Sequence, residues 1–284
     1  MGSFGLYGLV MVRNESDIIG DSIRNAFAQG ADRVFVIDHS SVDGTVSCAL
    51  DAGAELVDTW QGTWNERERM KLENSIVAEI SDRSEHDHIW WLWFDADEFP
   101  RPAGGGTIRE LVTRLDERIR LVGAVNLNHL PTPGRPTFLP GVHPAGYQTL
   151  VVDEHHGSFC RLGHRKHPLQ RWDRHGPMIR SLGGFHTAVC DAGPIPEADV
   201  DLVIHHVQWR DRETTERHLK EDGRFVLDRY MTNYTERLLS IDAVYDHDWK
   251  KVWNQNPLRS NRGIKVIDWR SIRPEISTDL PDLS

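Results

Sequence analysis

Cysteine is scarce in this chain: three residues in 284, Cys48, Cys160 and Cys190, with no pair at metal-ligand spacing. That excludes a disulfide framework and a cysteine-based zinc site, and a reducing compartment fits. No apolar run approaches the ~20 residues that cross a bilayer. The amino terminus also lacks a basic segment followed by a long apolar stretch. A soluble, cytoplasmic protein without stable membrane insertion is expected. Basic residues are outnumbered, 33 against 43 acidic ones for a net charge of −10, and they are scattered rather than blocked. Nucleic acid is therefore not an expected partner. Several catalytic signatures are missing too. There is no Gly-x-Gly-x-x-Gly after the first strand, no Gly-x-x-x-x-Gly-Lys-Ser/Thr, and no His-Glu-x-x-His. A Gly-x-Ser-x-Gly elbow is absent as well. These gaps exclude the dinucleotide, phosphate-loop, zincin and serine-hydrolase sites that those motifs build.

What is present is an alternation. Apolar runs at 6–12, 34–37, 55–57 and 89–94 read as strands, with helical periodicity between them over 16–29, 42–50 and 65–80. Ser16 and Asn65 stand where helix caps belong, the latter followed by Glu68 at capping-box spacing, and Gly30 ends the first helix. Strands alternating with helices predict an α/β fold with a mostly parallel sheet, helices on both faces and right-handed crossovers. A further helix is expected over 107–118 and a strand over 121–127. Residues 131–148, rich in Pro, Gly and Thr, read as a long loop. Short strands at 149–152, 169–172 and 202–207 precede a helix capped by Asp211 that carries Leu219, Val226 and Tyr230. A second helix is expected over 236–245, then a polar tail. The domain reading is 1–210 as the main body, with a ligand-binding half over 1–100 and an acceptor half over 101–210. Residues 211–284 form a C-terminal helical extension.

The most informative segment is Ile89-Trp90-Trp91-Leu92-Trp93-Phe94-Asp95-Ala96-Asp97-Glu98-Phe99. A buried strand that delivers Asp-x-Asp at its carboxyl end places hard oxygen ligands in the crevice where open α/β sheets bind substrates. The first strand ends in Arg13-Asn14-Glu15 and the second in Asp38-His39-Ser40-Ser41-Val42-Asp43-Gly44-Thr45. Glu15, Asp38, Asp95 and Asp97 should thus share one edge, where they repel unless a ligand or a cation holds them. Asp38 and Glu15 suit hydrogen bonds to a ribose or base, and Asp97, with Asp95 directly or through water, suits a divalent metal. For Asp43 a turn or cap role weighs at least equally.

These residues resemble the family 2 glycosyltransferases of the GT-A fold. The match is carried by Val12-Arg13-Asn14-Glu15, by Val36-Ile37-Asp38-His39-Ser40-Ser41-Val42-Asp43-Gly44-Thr45 and by Trp93-Phe94-Asp95-Ala96-Asp97-Glu98-Phe99. The branch whose acidic motif reads Asp-Ala-Asp-Glu-Phe fits best. The resemblance covers residues 6–100 well, and His206-Val207-Gln208-Trp209-Arg210-Asp211 is similar to that branch's histidine before a capped helix. It implies a UDP- or GDP-linked sugar donor, with Arg13, Asn14, Glu15 and Asp38 near the nucleoside. It also implies Mn²⁺ or Mg²⁺ on Asp95 and Asp97, and His206 as a third metal ligand. Transfer to a hydroxyl of a small molecule or glycan, with inversion, is the implied reaction. The general base stays open among Asp153, Glu154 and Asp173, each of which reads equally as a surface acid.

Arg69 and Lys71 are placed to reach the phosphates, or else to line a solvated helix face. His186, after Gly183-Gly184-Phe185, is a candidate phosphate or acceptor contact, or an ordinary loop histidine. Histidines crowd between 155 and 206, which raises a zinc hydrolase as an alternative. Adjacent His205 and His206 on a strand point to opposite faces and cannot readily share an ion. Two further readings stay open: a sugar-phosphate nucleotidyltransferase, and a non-catalytic carbohydrate-binding protein on a transferase fold.

Overall fold

The computed structural model describes residues 4–153, 165–199, 202–221, 238, 240–249, 251 and 265–268. The chain divides into two compact units. The first is Met1–Gln61, Asn65–Asn126 and His164–Ile204; the second is Gly62–Trp64, Leu127–Gly163 and His205–Ser284.

The first unit is a mixed α/β structure. Its amino-terminal half runs β1 (Gly5–Val12), α1 (Ile19–Ala28), β2 (Arg33–Asp38), α2 (Thr45–Asp51), β3 (Glu55–Thr59), α3 (Glu66–Arg83) and β4 (His88–Trp93). Every residue of β1 is buried, as are Val34–Asp38 of β2 and Ile89–Trp93 of β4. Continuous apolar runs of this kind form strands covered on both faces. β1 pairs in parallel with β2 and with β4, and β2 with β3. The order β4-β1-β2-β3 is the parallel part that the alternation predicts.

Beyond β4 the direction changes. β5 (Glu98–Pro102) and α4 (Ile108–Arg114) lead to β6 (Leu121–Leu130), and later β8 (Arg165–Asp173) inserts antiparallel between β4 and the first half of β6. The sheet is thus less uniformly parallel than expected. The reason lies in β8, whose alternation of charged and apolar residues is weak as a strand signal yet buries Leu169 and Gln170 against β4. β9 (Ile179–Leu182) and β10 (Thr187–Cys190) form a separate hairpin.

Helix ends follow local chemistry. The Asn65 side chain accepts from the backbone N–H groups of Arg67 and Glu68, as its type predicts. Thr107 and Glu110 close a reciprocal capping box, and α4 stops at Arg114 instead of 118. Ser16 does not cap α1. The Glu15 carbonyl accepts from Ile18 and Ile19 instead, and no side chain caps that helix.

In the second unit, the end of β6 pairs antiparallel with β7 (Leu150–Asp153), and β7 with β12 (Lys265–Asp268). β11 (Leu202–His206) delivers His205 and His206 to this unit. Asp211 caps α5 (Arg212–Glu221) through the Thr214 N–H, as expected. Trp209, Leu219, Ile241 and Val244 pack with Leu130 into its core. The expected helix positions Val226 and Tyr230 lie outside the described residues. Among the described residues no helix is long and apolar enough to cross a membrane.

Candidate functional site

Parallel pairing sets the geometry of the site in the first unit. Leu9 stands beside Trp93 and Val12 beside Asp38, so the carboxyl ends of β1, β2 and β4 leave the sheet at one edge. There the loops after β1 and β2 are knitted together. The Asn14 N–H donates to Ser41 Oγ at 3.0 Å, and Asn14 Oδ1 accepts from the Val42 N–H at 2.9 Å. The Glu15 N–H donates to Thr45 Oγ1 at 2.7 Å, and Arg13 donates to the His39 carbonyl at 2.7 Å. Asn14 and Ser40 both sit at positive φ, 52° and 53°, a region costly for residues with a Cβ. Such strain persists only where the surroundings over-determine it, and these cross-loop bonds do so.

Each candidate residue at this edge has bonds within the protein. Asn14 is buried and ties its amide oxygen and its backbone N–H to the neighbouring loop. The Arg13 guanidinium likewise ties to the next loop. Asp38 is only 6 % exposed and both its oxygens face the Ser41 N–H at 3.2 Å, closing a turn. Asp43 takes the cap role: it accepts from the Thr45 N–H and hydroxyl and from the Ser16 N–H. Burial opposes its ionisation, but these bonds hold its carboxyl below the ordinary range. The Glu15 side chain stands half-buried at the same edge.

The acidic motif forms the turn between β4 and β5. Glu98 N–H donates to the Asp95 carbonyl at 3.0 Å, and the Asp95 N–H donates back to Glu98 Oε2 at 3.2 Å. Lys166 then bridges the turn, its Nζ donating to Asp95 Oδ2 at 2.9 Å and to Glu98 Oε1 at 2.5 Å. On the other side Arg69 donates to Asp95 Oδ1 at 2.8 Å and to Glu73 Oε1 at 3.1 Å. The result is an alternating chain of charge, Glu73–Arg69–Asp95–Lys166–Glu98. Four members are almost wholly buried, while the Asp95 side chain keeps 31 % exposure. The buried Phe185 ring lies 5.1 Å from the Arg69 guanidinium and 5.5 Å from Lys166 Nζ, with Trp93 packed on it.

The electrostatics follow. Burial alone would raise the Asp95 carboxyl, but Lys166 and Arg69 drive it far below the ordinary range, so it is ionised at any physiological pH. Burial pushes Glu73 up to about 7 against the pull of Arg69. Lys166 and Arg69 are both raised, since their carboxylates outweigh the cost of burial.

A divalent ion of the Mg²⁺ or Mn²⁺ type needs hard oxygen donors with room for several waters or phosphate oxygens. Both Asp95 oxygens accept from cations, and Glu98 is turned inward to Lys166. Asp97, the second aspartate of the motif, is half-buried. The donor set fits an ion held by one protein carboxylate and completed by ligand oxygens.

The other expected residues are dispersed. Asp173 is paired by Arg120 at 2.9 Å, Arg171 at 2.8 Å and His88 at 2.7 Å. It faces His88 across the β4–β8 pair, at the end of β4 opposite to Asp95. It cannot serve as a base at that edge, and this candidate is corrected. Asp153 ends β7, its side chain lying outside the described residues, as does Glu154 altogether. His186 is exposed beside Gly183, Gly184 and Phe185, three successive residues at φ of 56°, 62° and 67°. Arg69 is neither a solvated residue nor an uncommitted phosphate contact, whereas Lys71 pairs with Glu68 on the exposed helix face.

In the second unit His206 Nδ1 bonds Asn128 Oδ1 at 2.8 Å, which places the imidazole proton on Nδ1 and the lone pair on Nε2. His205 is wholly buried instead, bonded through Nδ1 to His129 Nε2 at 2.9 Å. The two adjacent histidines thus separate as strand geometry requires.

The sequence reading missed Lys166, Glu73 and Phe185, and took Glu98 only as a third acid. The one available signal was the i, i+4 spacing of Arg69 and Glu73 on α3.

No family model matches this chain, and no curated protein matches it. Solved structures do. Glucosyl-3-phosphoglycerate synthase from Mycobacterium tuberculosis, in complex with Mn²⁺, uridine diphosphate and glucosyl-3-phosphoglycerate, is 19 % identical with a TM-score of 0.29; the match covers 43 % of this chain and 44 % of that one. Mannosyl-3-phosphoglycerate synthase from Rubrobacter xylanophilus is 21 % identical with a TM-score of 0.28, over 45 % of this chain and 41 % of that one. A mycobacterial protein is 21 % identical with a TM-score of 0.28, over 46 % and 42 %. The chain spans less than half the length of these structures. Similarity at this level leaves the fold to be argued from the strand order itself.

Proposed function

We propose that this protein is a metal-dependent glycosyltransferase of GT-A type that moves a sugar from a nucleoside diphosphate to an acceptor hydroxyl. The observation that carries the reading is the turn after β4, where Asp95 is pinned as an anion at the sheet edge that also receives the ends of β1 and β2. Carboxyl ends of adjacent parallel strands form the crevice in which open α/β sheets bind nucleotides. The resemblance of the three sequence motifs to family 2 glycosyltransferases supports the same assignment.

In this reading Asp97 holds Mn²⁺ or Mg²⁺ together with the donor diphosphate, whether UDP- or GDP-linked. The ion, when bound, supplies Lewis-acid neutralisation of the departing diphosphate. The chain's own residues do the positioning. Lys166 and Glu98 hold the turn that presents Asp97, and Arg69 fixes Asp95 beside it. Glu15 and Asp38 line the edge toward the nucleoside. The acceptor is a small molecule or a glycan, and the stereochemical course expected is inversion.

A thermal-shift series tests the proposal, because a ligand that binds only the native state raises its stability. UDP or GDP should raise the melting temperature only when Mn²⁺ is present, and Asp97→Ala should abolish that rise without lowering the ligand-free melting point by more than a few degrees. Equal stabilisation of Asp97→Ala and wild type would defeat the assignment. A preference for nucleoside triphosphates would favour nucleotidyl transfer.

A further inference from the structure

We propose that Lys166 is a built-in cation, occupying the place between Asp95 and Glu98 that a divalent ion would otherwise take. Its Nζ lies 2.9 Å from Asp95 Oδ2 and 2.5 Å from Glu98 Oε1, so two carboxylates of the acidic motif converge on one ammonium. Lys166 is 7 % exposed and Glu98 is fully buried. Mg²⁺-type ions give up water reluctantly and keep several water ligands, which a place this dry does not admit. An ammonium has three donors and a low dehydration demand by comparison. Two donors go to the carboxylates, and the Phe185 ring covers another side at 5.5 Å. Lys166 acts as a positioning residue: it fixes the charge and shape of the Asp95–Glu98 turn and keeps Asp95 from competing for the ion.

This inference rests on the ion-pair geometry and not on the transfer reaction, and its test uses no sugar donor. Mn²⁺ binding to the full chain is measured by the electron-spin-resonance signal of free Mn²⁺, with circular dichroism recorded in parallel. In Lys166→Ala the vacated place admits water and leaves two carboxylates facing one another. Mn²⁺ affinity is then expected to rise at least tenfold over wild type, which a purely structural lysine would not produce. The double variant Lys166→Ala with Glu98→Gln should lose that gain. If Lys166→Ala unfolds without metal, Mn²⁺ should restore its native spectrum. Unchanged or weaker Mn²⁺ affinity in Lys166→Ala, an equal gain in the double variant, or a chain that stays unfolded with Mn²⁺ would each overturn the proposal.

Discussion

Acidification from pH 6.5 to pH 4 is expected to weaken the second unit through a single buried imidazole. His129 is wholly buried, with Nδ1 against the Gln148 carbonyl and Nε2 against His205 Nδ1. A carbonyl only accepts, so Nδ1 carries the proton, and in the neutral ring Nε2 accepts from His205. Burial is the main cause that lowers its pKa to about 4 from 6.5, with His206 adding to it and the Gln148 bond opposing it. Between those values the unfolded chain binds a proton that the folded chain refuses. Stability conferred by the neutral ring is therefore complete above pH 6.5 and falls as pH drops toward 4. At roughly 1.4 kcal/mol per pKa unit, the full loss amounts to about 3 kcal/mol. Urea unfolding from pH 7 to pH 4, followed by tryptophan emission, measures it, since Trp209 is buried in the core of the same unit. His129→Gln keeps a donor and an acceptor but does not titrate, so its stability should decline less steeply over this window. The difference between the two curves removes the contribution of ordinary carboxylates. Parallel curves would refute the reasoning and show that the folded state accommodates the imidazolium.

Two other perturbations follow from the first unit. Asp173→Asn should lower the melting temperature by removing the shared partner of Arg120 and Arg171, yet leave Mn²⁺-dependent nucleotide stabilisation intact; loss of nucleotide binding would restore Asp173 as a site residue. Glu73 has its pKa raised to about 7 from 4.5, so the stability of its protonated form is present below pH 4.5 and is lost as pH rises through 7. Glu73→Gln should accordingly be most stable relative to wild type at pH 8, and a comparison of melting temperatures at pH 5 and pH 8 decides it.

Much of the fold is legible because strand and helix periods repeat cleanly in the first hundred residues. The runs Val34-Phe35-Val36-Ile37 and Ile89–Trp93 are apolar throughout, and a strand buried on both faces has to read that way. Only the second half of β8 reads as a strand, because Arg165, Lys166, His167 and Arg171 mask its apolar residues, and only the tertiary ion pairs make Lys166 tolerable inside. The site was legible as a location but not as a wiring diagram. Parallel order brings Glu15, Asp38 and Asp95 to one edge, and the motif alone marks Asp97. Sequence spacing carries no information on which cation meets which carboxylate, because Arg69, Asp95 and Lys166 come from elements far apart in the chain. Asp173 shows the converse case: it reads from the sequence as a base or a surface acid, and the antiparallel pairing of β4 and β8 sets it at the far end of β4.

The stitched loops after β1 and β2 have a practical consequence for anyone wishing to retool this protein. Asn14, Ser41, Val42, Thr45 and Asp43 exchange bonds across two segments nearly thirty positions apart, and Asn14 and Ser40 hold an unfavourable backbone shape only while those bonds persist. Grafting one segment from a relative would strand its counterpart, so substitutions here will combine non-additively. Transplants have to carry both segments together. Diversity introduced by library design is better directed to Val42, whose side chain projects into solvent while its backbone remains part of the stitch.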